Sequence, residues 1–179
     1  MITTLKQFQK KYTHHVNKGL SFHFLGRLEE EANWDFDVFL PTKGMNLQRD
    51  LVWTIEQKSA LIITILKDQK IPPIVVVQND KDEIHKYNWQ VIDGKQRMTT
   101  LFGYLKNEFP IVYEEVEYFF NDLPEDCQKQ IFRYSEITID VHYSYADEPI
   151  TDQTKIDLFE EINWLGTPQD INHLNKLKK

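Results

Sequence analysis

The chain has 179 residues, of which 41% are hydrophobic and 13% aromatic; this suits one soluble domain with a real core, or one domain with a terminal extension, and excludes a disordered chain. No run approaches the ~20 apolar residues of a membrane span, Met1-Ile2-Thr3-Thr4-Leu5-Lys6 holds no signal-peptide core, and the single Cys127 can make no internal disulfide, so a cytoplasmic protein is expected. The net charge of −7 is uneven: residues 1–110 carry 15 Lys+Arg against 13 Asp+Glu, whereas residues 111–179 carry 6 against 15, and so acidic a second half is a poor surface for a phosphate backbone.

Taken in order, Thr3 and Thr4 are placed to cap a helix through about Val16, with Leu5, Phe8 and Tyr12 on one face. Adjacent His14 and His15 would point about 100° apart on that helix, a poor metal pair, and the other histidines are scattered. The alternation in Trp34-Asp35-Phe36-Asp37-Val38-Phe39 predicts a half-buried strand. After a Pro/Gly loop and Leu47-Gln48-Arg49-Asp50-Leu51-Val52-Trp53, Thr54 and Gln57 form a capping box that opens a helix of about residues 55–68. Ile71-Pro72-Pro73 stops it. Ile74-Val75-Val76-Val77 alternates little, which predicts a central strand covered on both faces, and residues 79–88 read as a polar hairpin loop.

Trp89-Gln90-Val91-Ile92 predicts a short buried strand, Asp93-Gly94 a tight turn, and residues 96–107 a helix packing Met98, Leu101, Phe102 and Leu105 inward. A helix start exposes unpaired N–H groups at the positive end of the dipole, and Lys95 and Arg97 add charge there, as a phosphate site would need. The same residues equally suit a plain strand–turn–helix in which Asp93 caps the helix and the basic side chains are solvated. A Walker A loop is excluded, because its first glycine would fall at Trp89.

Beyond the helix, Ile111-Val112-Tyr113 and Val116-Glu117-Tyr118-Phe119 predict a hairpin. Asp122-Leu123-Pro124 is expected to start a helix through about Tyr134. Ile137, Ile139, Val141 and Tyr143 alternate in a further strand. Thr151 or Asp152 caps a helix burying Ile156, Phe159 and Ile162, and Thr167-Pro168 starts a last short one. The expected class is mixed α/β (α+β), with strands too irregular for a doubly wound sheet.

Several separated blocks then resemble one family. Leu47-Gln48-Arg49 with Val52-Trp53, Ile71-Pro72-Pro73-Ile74, Ile92-Asp93-Gly94-Lys95-Gln96-Arg97-Met98-Thr99-Thr100-Leu101, and the closing Leu158-Phe159-x-x-Ile162-Asn163 and Gly166-Thr167-Pro168-Gln169 occur in the order and rough spacing of the GmrSD-type N-terminal domain, whose usual signature is D-G-Q-Q-R-L-T-T-L. The resemblance covers about residues 36–170. It implies a ParB/sulfiredoxin-like domain over residues 36–179, a small mixed sheet surrounded by helices, behind an N-terminal helical extension of residues 1–35.

The resemblance further implies that a nucleoside triphosphate is bound with Mg²⁺ and hydrolysed, in a system that restricts modified phage DNA. Carried onto matching positions, the nucleotide-binding set is Gln48, Arg49, Gly94, Lys95, Gln96, Arg97, Thr99 and Thr100. Asp93, Arg97 and Arg49 are the catalytic set, with Asp93 holding Mg²⁺, orienting a water or only forming the turn. Lys95 departs from the family's usual Gln and adds a charge. Larger relatives add a nuclease domain with a His-Asn-His metal site; no such site is present in these 179 residues, so no nuclease activity is expected of them, and a nuclease or other protein partner is. The sulfiredoxin branch needs a Cys at its phosphate loop, and Cys127 lies far along the chain. The alternative to an NTPase is a non-catalytic adaptor that binds a nucleotide or a protein. Strong direct DNA binding is not expected, since no basic reading helix is evident, and Trp53, Trp89 and Trp164 are expected in packing roles.

Overall fold

Ile74–Gln78 forms the middle strand of a five-stranded sheet, and every residue from Ile74 to Val77 is buried. Its side chains alternate between two cores: Ile74 and Val76 enter one, Val75 and Val77 the other. A strand covered on both faces has no use for polar alternation, which is why this run reads as continuously apolar.

The computed structural model describes residues 14–21, 34–78, 89–131, 135–143 and 150–165. In chain order the strands are β1 (His14–Ser21), β2 (Trp34–Asp35), β3 (Phe39–Leu40), β4 (Met45–Asn46), β5 (Ile74–Gln78), β6 (Trp89–Asp93), β7 (Ile111–Tyr113), β8 (Val116–Tyr118) and β9 (Glu136–Tyr143). The helices are α1 (Ile55–Leu66), α2 (Lys95–Leu105), α3 (Glu125–Lys129) and α4 (Asp152–Leu165), with a 3-10 turn at Phe120–Asp122. The sheet order is β1-β9-β5-β6-β2; β1 and β6 run antiparallel to their inner neighbours, whereas β9/β5 and β6/β2 are parallel. The mixed α+β class expected from the sequence is the one observed.

Leu61, Ile62 and Ile65 of α1 and Met98, Leu101, Phe102 and Tyr104 of α2 cover one face of the sheet. Ile156, Leu158 and Phe159 of α4, with Leu40 and Leu47 of the β3–β4 region, cover the other. At the start of α4, Asp152 Oδ2 accepts from Thr42 N (2.9 Å) and Oγ1 (2.8 Å), tying the helix to the β3–β4 hairpin. Lys155, one turn on, is 5% exposed, 3.8 Å from Asp152 Oδ1; burial pushes its ammonium below the ordinary lysine range, against the opposing pull of Asp152 and Asp35.

Most predicted elements recur: α1 has its Thr54–Gln57 capping box, β7 and β8 form a hairpin, and the α4 cap is Thr151, whose Oγ1 accepts from Thr154 N at 3.2 Å. Three differ. The N-terminal helix lies outside the described residues except at its end, where His14–Val16, placed in a helical extension of residues 1–35, instead belong to β1. Pairing along all eight residues of β9 satisfies backbone groups that an open edge would leave bare, and that long-range gain outweighs local helix signals. The single strand predicted over 34–39 breaks in two: Asp35 Oδ1 accepts from Asp37 N and Val38 N (3.1 and 2.8 Å), forming a turn with Val38 at φ 52°. Finally, Asp122 caps the 3-10 turn, accepting from Phe119 N at 3.1 Å, and Pro124 rather than Asp122 precedes the short α3. The predicted loop over 79–88 and the final short helix lie outside the described residues.

Candidate anion cleft at the β6–α2 turn

The β6–α2 connection is shaped by one glycine. Gly94 has φ 103°, and a Cβ built there would stand 2.4 Å from Ile74 Cδ1, so only glycine lets the strand turn this tightly against β5. A bulge precedes it: Val75 pairs with Asp93 but Val76 with Val91, leaving Ile92 as the extra residue and re-aiming Asp93. Gly94 is the N-cap of α2 and offers no side-chain cap, and Gly94 to Arg97 at the helix start line the cleft beside it.

That cleft has a volume of about 790 Å³, within the ordinary range for small-molecule sites. Its cations are Arg49, Lys70, Lys95 and Arg97, and Asp93 is its one carboxylate among the described residues. Trp53, just before α1, and Gln57, in its first turn, line one wall, and Ile162 and Asn163 approach from the end of α4.

Most of the signature side chains are engaged with the protein itself. Arg97 Nη1 donates to Pro72 O (3.2 Å), and its Nη2 donates to Pro73 O (3.2 Å) and to Asp93 Oδ2 (2.5 Å), so three of its five N–H donors are used. Gln96 is used at both ends: Oε1 accepts from Val52 N and Trp53 N (3.2 and 3.3 Å), while Nε2 donates to Asp50 O (3.0 Å). Gln48 Nε2 donates to Val91 O (2.9 Å) and Ile92 O, covering the β6 edge just past the last residue paired with β2. Lys95 is 8% exposed, and its Nζ donates to Asp37 Oδ1 at 2.6 Å.

Of the expected site residues, the fold thus gathers Gln48, Arg49, Asp93, Gly94, Lys95, Gln96 and Arg97 around one cleft. Thr99 and Thr100 do not line it. They follow a full turn into α2, where Thr99 Oγ1 donates to Lys95 O at 2.8 Å and Thr100 is buried. Arg49 and Lys70 are exposed and have no hydrogen-bond or ion-pair partner among the described residues. Lys70 and Asn163 were not singled out as site residues from the sequence. The signal for Lys70 is its position directly before the rigid Ile71-Pro72-Pro73 block, and for Asn163 its place in the closing segment on α4.

The described residues form no all-protein cage for Mg²⁺: Asp93 is the one carboxylate of the cleft among them and its Oδ2 is on Arg97, so an ion beside it would take most of its six oxygens from phosphate and water. No group of three His, Cys, Asp or Glu among the described residues is placed to hold a metal, and none of their helices is long and apolar enough to cross a membrane.

The fold and this turn define a mixed α+β domain with a cationic cleft at a strand–glycine–helix junction. The family model described as "GmrSD restriction endonuclease, N-terminal domain" matches residues 39–176, well over half of the chain, and the protein belongs to that family. A search of curated proteins found no match. The chain is also similar to a solved structure of a Pnob8-like ParB-N domain, at 14% identity and a TM-score of 0.40, over 92% of this chain and 43% of that one.

Proposed function

We propose that the cleft binds a nucleoside triphosphate and that the domain serves a DNA-restriction system, the role named in its family's description. The observation that carries this is electrostatic: in a chain of net charge −7 four cations meet at one cleft beside an uncapped helix start, and although Lys95 is paired with Asp37 and Arg97 with Asp93, Arg49 and Lys70 have no ion-pair partner among the described residues. Asp93 is held by Arg97, so its charge is neutralised locally and does not repel a triphosphate. Trp53, half-buried in the cleft wall, offers an aromatic surface beside the cations on which a base can rest.

Turnover has thinner support than binding. Among the described residues of the cleft Asp93 is the one carboxylate available to orient a water, and one of its oxygens is committed. This favours a nucleotide-binding adaptor, acting with a nuclease partner, as the second reading. Equilibrium dialysis of the protein with ATP, GTP and CTP in magnesium buffer, with phosphate release followed in parallel, separates them. Saturable binding with release makes the domain an NTPase; binding without release makes it a nucleotide-responsive adaptor; retention of no nucleotide overturns both.

A further inference from the structure

Resting on the nucleotide reading, we infer a division of labour within the cleft: Arg49 and Lys70 are the side chains that meet the phosphates, and the signature residues Gln48, Gln96 and Arg97 position them. Lys70 is a binding residue outside every signature block.

The bonding pattern separates the two groups. Each signature side chain donates to main-chain carbonyls of another segment: Gln48 to β6, Gln96 to the stretch at Asp50, and Arg97 to Pro72 and Pro73. Arg97 is only 12% exposed at its side chain and holds Asp93 at 2.5 Å, so redirecting it toward a ligand would break three contacts. Arg49 and Lys70 have no such commitments among the described residues and line the same cleft. The framing bonds also fall where they matter. Gln48 and Gln96 fix the 48–53 segment that carries Arg49. Arg97 fixes the Pro72–Pro73 carbonyls, two and three residues beyond Lys70, and the consecutive prolines transmit that fixation because their φ angles are locked. The cleft is thereby flanked by two cationic arms, each anchored at its base by the β6–α2 block.

The test is ATP affinity, measured at several salt concentrations, for wild type, Arg49→Ala, Lys70→Ala, Lys70→Arg and Arg97→Ala. Loss of either arm is expected to weaken binding about tenfold, the scale of one charge-assisted hydrogen bond, with an unchanged melting temperature and a shallower salt dependence. Lys70→Arg keeps the charge and should restore most of the affinity. Arg97→Ala should lower affinity and melting temperature together, and adding Lys70→Ala to it should cost little more, because a residue acting through Lys70 is non-additive with it. Arg97→Lys serves the same cycle where Arg97→Ala does not fold. Wild-type binding left intact by both arm variants, or fully additive losses for Arg97 and Lys70, overturns the division of labour while leaving the nucleotide reading standing. Failure of the wild type to bind ATP, GTP or CTP removes that reading, and this inference with it.

Discussion

Gly94 and Gln96 carry opposite kinds of constraint within three residues. Gly94 is required for what it lacks: at φ 103° and with Ile74 Cδ1 2.4 Å from any added Cβ, an alanine must strain the turn and displace a core side chain. Gly94→Ala is expected to cost about 2–3 kcal/mol, read as a lower urea midpoint at constant slope; a loss below ~0.5 kcal/mol would show that the turn relaxes freely. Gln96 is required for what it holds, with amide oxygen and nitrogen together bonding Asp50, Val52 and Trp53. Its sequence neighbours in the signature behave alike, which changes how the block is read. Polar residues at a helix start beside a glycine suit a ligand site, yet most here serve the frame, and spacing alone cannot separate the two because both need the same donors in the same place.

Among the elements, α4 shows how a helix is docked through charge as well as apolar area. Ile156 and Phe159 fill the second core, while Asp152 reaches Thr42 and Lys155 is buried beside it. Since burial lowers the Lys155 pKa from 10.5, the unfolded chain holds a proton on this residue over a range where the folded chain has released it. Stability from this group is therefore present above pH 10.5 and is lost as pH falls through the lower folded value. Lys155→Met should abolish the part of the wild type's alkaline rise in stability that this lysine supplies. Urea unfolding of both proteins from pH 7 to 10 measures this; a variant less stable at pH 7 by more than about 2 kcal/mol would mean that the pair with Asp152 outweighs the desolvation of the lysine.

Local signals served the elements well where one was sufficient. The Thr54–Gln57 box, the Asp93-Gly94 turn and the apolar run of β5 each state their structure within a few residues. What stayed illegible depended on distant partners: β1 takes its conformation from β9, more than a hundred residues away, and the turn at Val38 follows from one carboxylate oxygen of Asp35.

Over the whole molecule, the cleft is assembled from five stretches that the chain visits far apart: 48–53, the inner face of α1, 70–72, the β6–α2 turn and the end of α4. Two of these, 48–53 and 93–97, carry the expected site residues; 70–72 and the end of α4 also hold family blocks, but no site role is carried onto them. Lys70 was not readable as a site residue, since a lysine before two prolines has no distinguishing local pattern and gains meaning only when Arg97 draws that segment to α2. Thr99 and Thr100 mark the converse, motif residues of which one bonds back into its own helix and the other is buried. The acidic second half and the cationic cleft coexist because the four basic side chains that line the cleft all come from residues 49–97.

Nucleoside-triphosphate binding at this junction is tested by calorimetric titration of ATP into the wild-type protein and into Arg49→Ala. Saturable, salt-sensitive binding to the wild type is expected near one nucleotide per chain, weakened about tenfold in a variant of unchanged melting temperature. Equal binding by the two proteins would remove Arg49 from the phosphate contacts, and no binding heat at any temperature would contradict nucleotide binding outright.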